Sequence, residues 1–377
     1  MKIPINKILA TIPPSGIRKF FEIVAEQPDV ISLSIGEPDF DTPWAIRESA
    51  IHALESGDTH YTGNRGTPEL RAAIAEYFSR RFRVSYDPDK EILLTNGASE
   101  AFDLAVRVLL NPGDEVILFT PSYVMYAPLI QLAGGVPVFV RHPAKLAKKI
   151  SAKTQAIVLS YPSNPTGETF SRKILHEIAK VVAQNNLFVI SDEIYAELTY
   201  EGTHTAFASL PRMQPVSATI SGFSKAWAMT GFRLGYLAGP ATLIAAANKI
   251  HQYAALCASS IAQAAAVEAL RGGDAVVEKM REEYRTRRDF VLRELKKFGL
   301  QAAKPRGAFY VFPNVRQKTG LSGEKFALNL LKKEKVAVVP GNAFGAEFSD
   351  FVRISYATSL AELTEAFERI ERFLKSL

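Results

Sequence analysis

The stretch SGFSKAWAMTGFRLGYLAGP, residues 221–240, holds one lysine, Lys225, within a run of small and apolar residues. Phe223 and Trp227 stand two positions to either side of this lysine. An amine among apolar side chains loses part of its preference for the ammonium form, so its free base can attack a carbonyl nearer neutral pH. The apolar residues 232–238 predict a buried strand that follows a turn. Lys225 is therefore a candidate nucleophile, and the alternative is an ordinary solvated lysine.

Composition limits the class of protein before any motif is considered. The chain has 377 residues, of which 47% are hydrophobic and 22% charged, so one large and one small domain are expected. A single cysteine, Cys257, excludes an intramolecular disulfide framework. The sequence begins with no long apolar leader and contains no membrane-spanning run, so we expect a cytoplasmic protein.

The formal net charge of +6 raises the question of a nucleic-acid partner. The basic residues are mostly dispersed among acidic ones, and neither a basic tail nor a metal-ligand spacing occurs. We therefore predict no nucleic acid, no membrane and no metal. A mild positive potential also suits a small anionic substrate or a phosphorylated cofactor, which is the interpretation preferred here.

Apolar runs and amphipathic segments alternate from Glu91 onward, which predicts an α/β fold with a mostly parallel sheet between helices. The predicted strands are 92–95, 115–120, 136–140, 156–160 and 187–191. A long amphipathic helix from Asp274 leads into strands and helices that predict a smaller α+β domain. We expect a large cofactor-binding domain over 45–275, and a small domain formed by 1–44 and 276–377. Ligands of such sheets bind beyond the carboxyl ends of the strands.

Small residues follow the first of these strands in the run Asn96-Gly97-Ala98-Ser99. They let backbone N–H groups approach a ligand, and the helix that begins there adds positive potential. This predicts a phosphate seat, although the same residues also form ordinary turns. Ser224 and Arg233 could contact the same phosphate.

Polar side chains also stand in several other apolar or turn-forming stretches. Asp192 follows a buried strand and would suit a protonated pyridine nitrogen, or simply cap a helix. Tyr195 and Asn164 could donate hydrogen bonds to a phenolate oxygen. Arg353, inside the apolar run FVRISYA, is either a structural ion pair or a carboxylate clamp. Tyr61 lies on a glycine-rich loop, where loop packing is the simpler interpretation.

Together, a lysine amine for an aldehyde, an aspartate for a ring nitrogen, donors for a phenolate and a phosphate seat describe pyridoxal 5′-phosphate. With these residues, the chain clearly resembles the class I/II aminotransferases of the aspartate aminotransferase superfamily, fold type I. The matching runs cover essentially the whole chain: ISLSIGEPDFDTP, YTGNRGTPELR, TNGASEA, NPGDEV, YPSNPTG, SDEIY, SKAWAMTGFRLGY, GAFYVFP, PGNAFG and FVRISYA. The resemblance implies a fold type I transferase that uses pyridoxal phosphate.

The resemblance also implies roles for individual residues. Lys225 would form the Schiff base and move the proton between the substrate Cα and the cofactor C4′, and Asp192 would keep the ring an electron sink. Asn164 and Tyr195 would bind the cofactor O3′, and Tyr123 would stack on the ring face. The phosphate would be bound by Ala98, Ser99, Ser224 and Arg233, and by Tyr61 from the neighbouring subunit. Arg353 would bind the substrate carboxylate, with Gly36 and Asn164 close by. Because Tyr61 would reach across subunits, a homodimer is implied.

Two departures from the family pattern stand out. Many relatives carry a phosphate-binding Ser or Thr three positions before the lysine, where this chain has Gly222. The connection over 141–155 is also shorter than in typical relatives, through a real deletion or a segment absent from the sequence.

The expected reaction is transfer of an amino group from an L-amino acid to a 2-oxo acid such as 2-oxoglutarate, by a ping-pong mechanism. The runs KIHQYAALCASSIAQAAAVEAL and PPSGIRKF resemble the aromatic and N-acetyl-L,L-diaminopimelate aminotransferases of a bacterial and archaeal subgroup, in which aspartate is another donor. The first alternative is a carbon–sulfur β-lyase on the same scaffold. A transcription regulator that keeps this fold is a weaker alternative, because the fold's motifs begin by Ile31 and leave no room for a DNA-binding domain.

Overall fold

A seven-stranded sheet lies at the centre of the computed structural model, which describes residues 3–14, 16 and 29–377. Its strands, in chain order, are β2 (Ile92–Thr95), β3 (Glu115–Phe119), β4 (Val136–Val140), β5 (Thr154–Ser160), β6 (Phe188–Asp192), β7 (Ser217–Gly222) and β8 (Gly235–Ala238). Their spatial order is β2-β8-β7-β6-β5-β3-β4. Only β8 runs antiparallel to its two neighbours, so the predicted mostly parallel sheet is confirmed.

Helices cover both faces of this sheet, because its strands are apolar on both sides. Val116 and Leu118 of β3 belong to one buried cluster, and Ile117 between them belongs to the cluster on the opposite face. The helices of this part of the chain are α1 (Trp44–Glu55), α2 (Pro68–Phe82), α3 (Ala98–Leu109), α4 (Tyr126–Leu132), α5 (Arg172–Asn185), α6 (Ala241–Ala254) and α7 (Ser260–Gly272). Thr67 caps the start of α2, where its hydroxyl accepts from the Leu70 N–H at 3.4 Å.

Two small sheets and four α-helices, together with short 3-10 helices, form the rest of the described chain. One sheet pairs β1 (Ile31–Ser32) with β10 (Val336–Ala337), and the other has the order β11-β12-β9. The remaining elements are β9 (Tyr310–Val311), β11 (Val339–Pro340), β12 (Val352–Ser355), α8 (Asp274–Phe298), α9 (Arg316–Thr319), α10 (Gly323–Glu334) and α11 (Leu360–Lys375). These sheets lie outside 45–275 and the large sheet lies within it, which supports the division into two domains as a proposal. Parts of 1–44 lie outside the described residues.

One strand prediction needs correction, and one strand was not predicted. The strand expected over 232–238 covers only Gly235–Ala238, because Phe232 and Arg233 lie in a turn in which Arg233 has a φ of +52°. The strand Ser217–Gly222 was not predicted, because its Ser and Thr side chains break the apolar run. Those polar groups are satisfied internally: the Ser217 hydroxyl, for example, donates to the Met213 carbonyl at 2.8 Å.

Two segments noted in the sequence are the connection over 141–155 and the run PPSGIRKF near the N-terminus. The structure describes the first fully and the second only in part. The short link between β4 and β5 contains a 3-10 helix, Pro143–Lys149, whose Leu146 is buried in the same cluster as Ile157 and Ile178. In the run PPSGIRKF, residues 15 and 17–20 lie outside the described residues. No helix among those that the structure describes is long and apolar enough to span a membrane.

Gly222 of β7 lies opposite Gly235 of β8. A Cβ at Gly222 would stand 2.8 Å from both the Gly235 Cα and the Leu234 carbonyl oxygen, so the backbone leaves no room for the Ser or Thr of some relatives. We expect Gly222→Ser to lower the free energy of unfolding by roughly 1–3 kcal/mol. Gly231→Ala is the control, because a Cβ there meets no atom within 4 Å. Urea unfolding of both variants checks this, and equal stabilities would contradict it.

Candidate active site

The carboxyl ends of the parallel strands open into a cavity of about 530 Å³. Asn164 follows β5, Asp192 ends β6, Lys225 follows β7 and Ala98 begins α3 after β2. The residues that line the cavity are Ile35, Gly36, Glu37, Ala98, Ser99, Tyr123, Val124, Met125, Tyr126, Ser160, Asn164, Asp192, Ile194, Tyr195, Ser224, Lys225, Thr230, Arg233, Tyr310 and Arg353. Every predicted site residue except Tyr61 is in this group.

Lys225 projects from the turn after β7 into the cavity. Its Nζ donates to the Gly36 carbonyl oxygen at 2.7 Å and lies 6.0 Å from the centre of the Phe309 ring. Burial lowers the pKa of this amine from 10.5 to about 8, while the nearby Glu37 carboxylate opposes that change. A substantial fraction of the amine is therefore the free base at mildly alkaline pH, as the nucleophile prediction requires.

Asp192 is buried at the end of β6 and is held by two donors. The Tyr126 hydroxyl donates to its Oδ2 at 2.6 Å, and the Ile194 N–H donates to its Oδ1 at 3.1 Å. Burial raises the pKa of this carboxyl to about 6, and the two hydrogen bonds limit the rise. At neutral pH the group is mainly a carboxylate, which is the form that can hold a protonated ring nitrogen.

Arg353 lies on β12 and reaches the cavity from the small sheet. Its Nη1 donates to Asn164 Oδ1 at 2.9 Å and its Nη2 to the Ser34 carbonyl at 2.5 Å, while the buried Nε has no partner among the described residues. No described Asp or Glu forms an ion pair with this guanidinium, so the structural ion pair is not what holds it. Because a buried cation is costly without an anion, the site favours an incoming carboxylate.

The turn from Asn96 to Ser99 combines close backbone approach with a helix N-terminus. Gly97 has a φ of +85°, and a Cβ there would lie 2.8 Å from Arg233 Nη2. A Cβ at Gly235 would lie 2.6 Å from the Ala98 nitrogen, so only glycine fits behind the turn. The first N–H groups of α3 have no partner within the helix, and with Arg233 they form a concave, electropositive seat.

Aromatic hydroxyls complete the cavity wall. The Tyr195 and Tyr310 hydroxyls are hydrogen-bonded at 2.9 Å, and both side chains are buried. The Tyr123 ring lies at the edge of Tyr126, with the ring centres 5.8 Å apart. Tyr61 is not brought to the cavity, since its side chain is 83% exposed.

Several residues that line the cavity were not singled out from the sequence, among them Tyr126, Tyr310 and Glu37. Tyr126 stands three residues after Tyr123 and Tyr310 lies in the aromatic run GAFYVFP, so their apolar neighbours gave no reason to expect polar contacts. Glu37 directly follows Gly36, and its exposed position in a turn-forming run looked like ordinary loop polarity.

A partly desolvated lysine, a buried carboxylate and a backbone anion seat in one cavity define the class as a fold type I pyridoxal-phosphate enzyme. The donor set fits that cofactor: the backbone cradle matches its phosphate, the carboxylate its ring nitrogen and the Lys225 amine its aldehyde.

Comparison with known proteins assigns the chain to a family within that class. It belongs to the aminotransferase class I and II family, which it matches over residues 28–370. It is 45% identical to an aspartate aminotransferase of Pyrococcus abyssi over 97% of both chains, and 41% identical to aromatic-amino-acid aminotransferase 2 of Thermococcus litoralis, also over 97% of both. The structure of the Thermus thermophilus aspartate aminotransferase with maleate aligns with a TM-score of 0.93 at 37% identity, over 98% of this chain and 100% of that one.

The chain is therefore a pyridoxal-phosphate-dependent aminotransferase that acts on small molecules. The predicted family, fold, enzyme class and cofactor are confirmed, and the carbon–sulfur lyase alternative is not favoured.

The shifted pKa of Lys225 gives a prediction that does not depend on the cofactor. Amine-selective labelling of the cofactor-free protein, located by peptide mass spectrometry, measures the free-base fraction at each lysine. Because the amine loses its proton as the pH rises, labelling of Lys225 should be half-maximal near pH 8, compared with 10.5 for an unperturbed lysine. The exposed Lys90 serves as the control in the same spectra. A midpoint for Lys225 above pH 10 would contradict the desolvated site.

Proposed function

We propose that this aminotransferase takes its amino group from an L-amino acid with an uncharged aromatic side chain, in preference to aspartate, and passes it to a 2-oxo acid such as 2-oxoglutarate. The observation that carries this proposal is the distribution of charge in the cavity. Among the described residues that line it, only Lys225, Arg233 and Arg353 are cationic. Cofactor and α-carboxylate would engage all three, which leaves none for the second carboxylate of aspartate.

The other side chains that line the cavity also favour an aromatic donor. Ile35, Val124 and Met125 are apolar, and Tyr310 presents an aromatic ring beside Arg353. Glu37 adds negative charge to the cavity, and its carboxylate accepts a hydrogen bond from Thr230. An aromatic side chain would bury apolar area against this wall, whereas a second carboxylate would meet a like charge. The name of the Thermococcus litoralis relative accords with this preference.

The residues would divide the chemistry as follows. Pyridoxal phosphate supplies an aldehyde carbonyl and an electron-withdrawing ring. The Lys225 amine would join the aldehyde carbon with loss of water. Once the substrate amine has displaced it, the free amine would move the proton between the substrate Cα and C4′. The Asp192 carboxylate would hold the proton on the ring nitrogen, and Tyr126 would keep that carboxylate ionised. Tyr195 and the Asn164 amide N–H would donate to O3′, since Asn164 Oδ1 is already occupied by Arg353.

Binding and orientation would fall to the other groups. Ala98 and Ser99, together with Ser224 and Arg233, would hold the phosphate, and Tyr123 would lie on the ring face. The Arg353 guanidinium would receive the α-carboxylate of donor and acceptor alike, close to Gly36. Because both half-reactions use the same clamp, one cavity serves the whole ping-pong cycle.

The donor preference is tested by adding amino acids to the purified, cofactor-loaded protein and following the visible absorption band of the bound cofactor. Phenylalanine and tyrosine should bleach the band with a specificity constant about tenfold or more above that of aspartate. Glutamate and N-acetyl-L,L-diaminopimelate complete the panel, and 2-oxoglutarate and phenylpyruvate are compared as acceptors. Controls are 2-phenylethylamine, which lacks the carboxylate that Arg353 would bind, and the Lys225→Ala variant. A higher rate with aspartate would overturn the preference.

The proposed assembly is a homodimer in which Tyr61 completes the partner's site. Tyr61, Tyr253 and Leu256 form one exposed apolar surface, with side chains 83%, 89% and 40% exposed. The Asn64 side chain ties the Tyr61 loop to this surface by donating to the Leu256 carbonyl at 2.8 Å. Exposed aromatic residues grouped in this way are typical of an interface between subunits.

Subunit mixing tests this assembly. In a hybrid of Lys225→Ala and Tyr61→Ala subunits, one of the two sites would combine an intact Lys225 with an intact Tyr61 from the partner. Mixing the two inactive or weakened variants after mild dissociation should therefore restore about a quarter of the wild-type activity. Light scattering verifies the dimer mass. Hybrids that form without any recovery of activity would contradict the role of Tyr61, and a monomeric mass would contradict the dimer.

A cytoplasmic location is also proposed, supported by the single cysteine, Cys257, which suits a reducing compartment. Cell fractionation that placed the activity outside the cytosolic fraction would refute it.

A further inference from the structure

A buried carboxylate–imidazole pair lies directly behind the turn that forms the phosphate seat. Glu100, in the first turn of α3, accepts from the Asn96 backbone N–H at 2.5 Å and from the Asn96 side-chain amide at 3.0 Å, both on Oε2. Its other oxygen, Oε1, lies 2.8 Å from Nδ1 of His251. The His251 side chain, on α6, is completely buried, and that of Glu100 is 15% exposed. One carboxylate thus connects the turn to a helix distant in sequence.

The geometry of the turn depends on how its first residue is held. Asn96 precedes Gly97, whose φ of +85° redirects the chain into α3. The N–H groups of Ala98 and Ser99 follow at once, so a rotation at Asn96 would change the direction in which they point. Another hydrogen bond holds the turn, from the Thr95 hydroxyl to the Gly97 carbonyl at 3.0 Å. The contacts of Glu100 and Thr95 therefore hold the backbone of the turn 96–99 and do not reach a ligand.

A contribution to the stability of the fold does not by itself explain why Glu100 and His251 form this buried pair. Burying a carboxylate and an imidazole together adds little compared with apolar side chains of the same size. The His251 Nε2 atom is buried and has no hydrogen-bond partner among the described residues, which is an additional cost. Burial raises the pKa of Glu100, but the hydrogen bonds from His251 and Asn96 outweigh it and lower the pKa overall, so the group accepts as a carboxylate.

We propose that Glu100, oriented by His251, is a positioning residue that fixes the turn 96–99 so that the Ala98 and Ser99 N–H groups face the cofactor phosphate. This inference rests on the phosphate seat proposed above. Glu100 does not touch the phosphate, because both of its oxygens are occupied by Asn96 and His251. Its influence on the cofactor passes through the backbone of the turn.

The position of the Glu100 side chain and its negative charge would affect phosphate binding in different ways, so variants of Glu100 test the proposal. A carboxylate near a phosphate repels it, so if charge alone mattered, Glu100→Gln would tighten phosphate binding and Glu100→Asp would change it little. If position matters, Gln keeps an oxygen for Asn96 and an amide for His251, whereas Asp is one methylene too short to reach both. Asp103→Asn is the matched control, because that carboxylate lies on the same helix but pairs with Arg107 at 2.8 Å.

The experiment measures the affinity of each cofactor-free variant for pyridoxal 5′-phosphate and for pyridoxal, which lacks the phosphate, by absorbance titration. Glu100→Asp should weaken binding of the phosphorylated form about tenfold and leave pyridoxal binding within about twofold. Glu100→Gln and Asp103→Asn should stay close to wild type with both ligands. Competition by inorganic phosphate provides a second readout that needs no bond to Lys225.

Each other outcome overturns a specific statement. Equal losses for both ligands in Glu100→Asp would mean that Glu100 supports the cavity in general, and unchanged affinities would mean that it does not position the seat. Tighter binding by Glu100→Gln would assign the effect to charge. If the wild-type protein bound both ligands equally well, the phosphate seat itself would be wrong. Should Glu100→Asp fail to fold, phosphate competition in Glu100→Gln still separates position from charge.

Discussion

The buried guanidinium of Arg353 is the interaction on which the site depends most. Its Nη1 and Nη2 atoms donate to Asn164, which follows β5 of the large sheet, and to Ser34, which follows β1, while its Nε has no partner among the described residues. Arg353 itself lies on β12, and the Tyr310 ring lies 4.5 Å from its guanidinium carbon. Three segments far apart in sequence must therefore meet before this cation is accommodated. The position of this guanidinium in the cavity therefore depends on both the large sheet and the small ones.

Desolvation of the same cavity acts on its two principal titratable groups in opposite directions. It lowers the pKa of the Lys225 amine to about 8 and raises that of the Asp192 carboxyl to about 6. Both changes favour neutral forms, but the chemistry requires a neutral amine and a charged carboxylate. The Tyr126 hydroxyl resolves this conflict for Asp192, because its hydrogen bond favours the ionised form. The Lys225 Nζ instead donates to a neutral carbonyl, that of Gly36.

Much of the large sheet could be predicted because its strands are unbroken apolar runs, as in Ile92–Thr95 and Glu115–Phe119. The strand Ser217–Gly222 could not, since its hydroxyls are satisfied by contacts that only the folded chain provides. The same limit applies to the site. Residues such as Lys225 and Arg353 are conspicuous in apolar surroundings, whereas the hydrogen bond from Tyr126 to Asp192 joins residues that are far apart in sequence. The partners of Arg353 in the fold, Asn164 and Ser34, are likewise not specified by the sequence.

The residues proposed to hold the cofactor and the substrate belong to different kinds of structure. The proposed phosphate seat consists largely of backbone, and Gly235 leaves no space for a Cβ behind it, so the seat would follow from strand and helix positions that the sequence encodes strongly. The donor would instead meet Ile35, Glu37, Val124 and Met125, which lie in segments without regular structure. Side chains in such segments can change without disturbing the sheet. This separation explains why one scaffold serves relatives named for aspartate and for aromatic amino acids, and why the donor is the property least accessible from the fold.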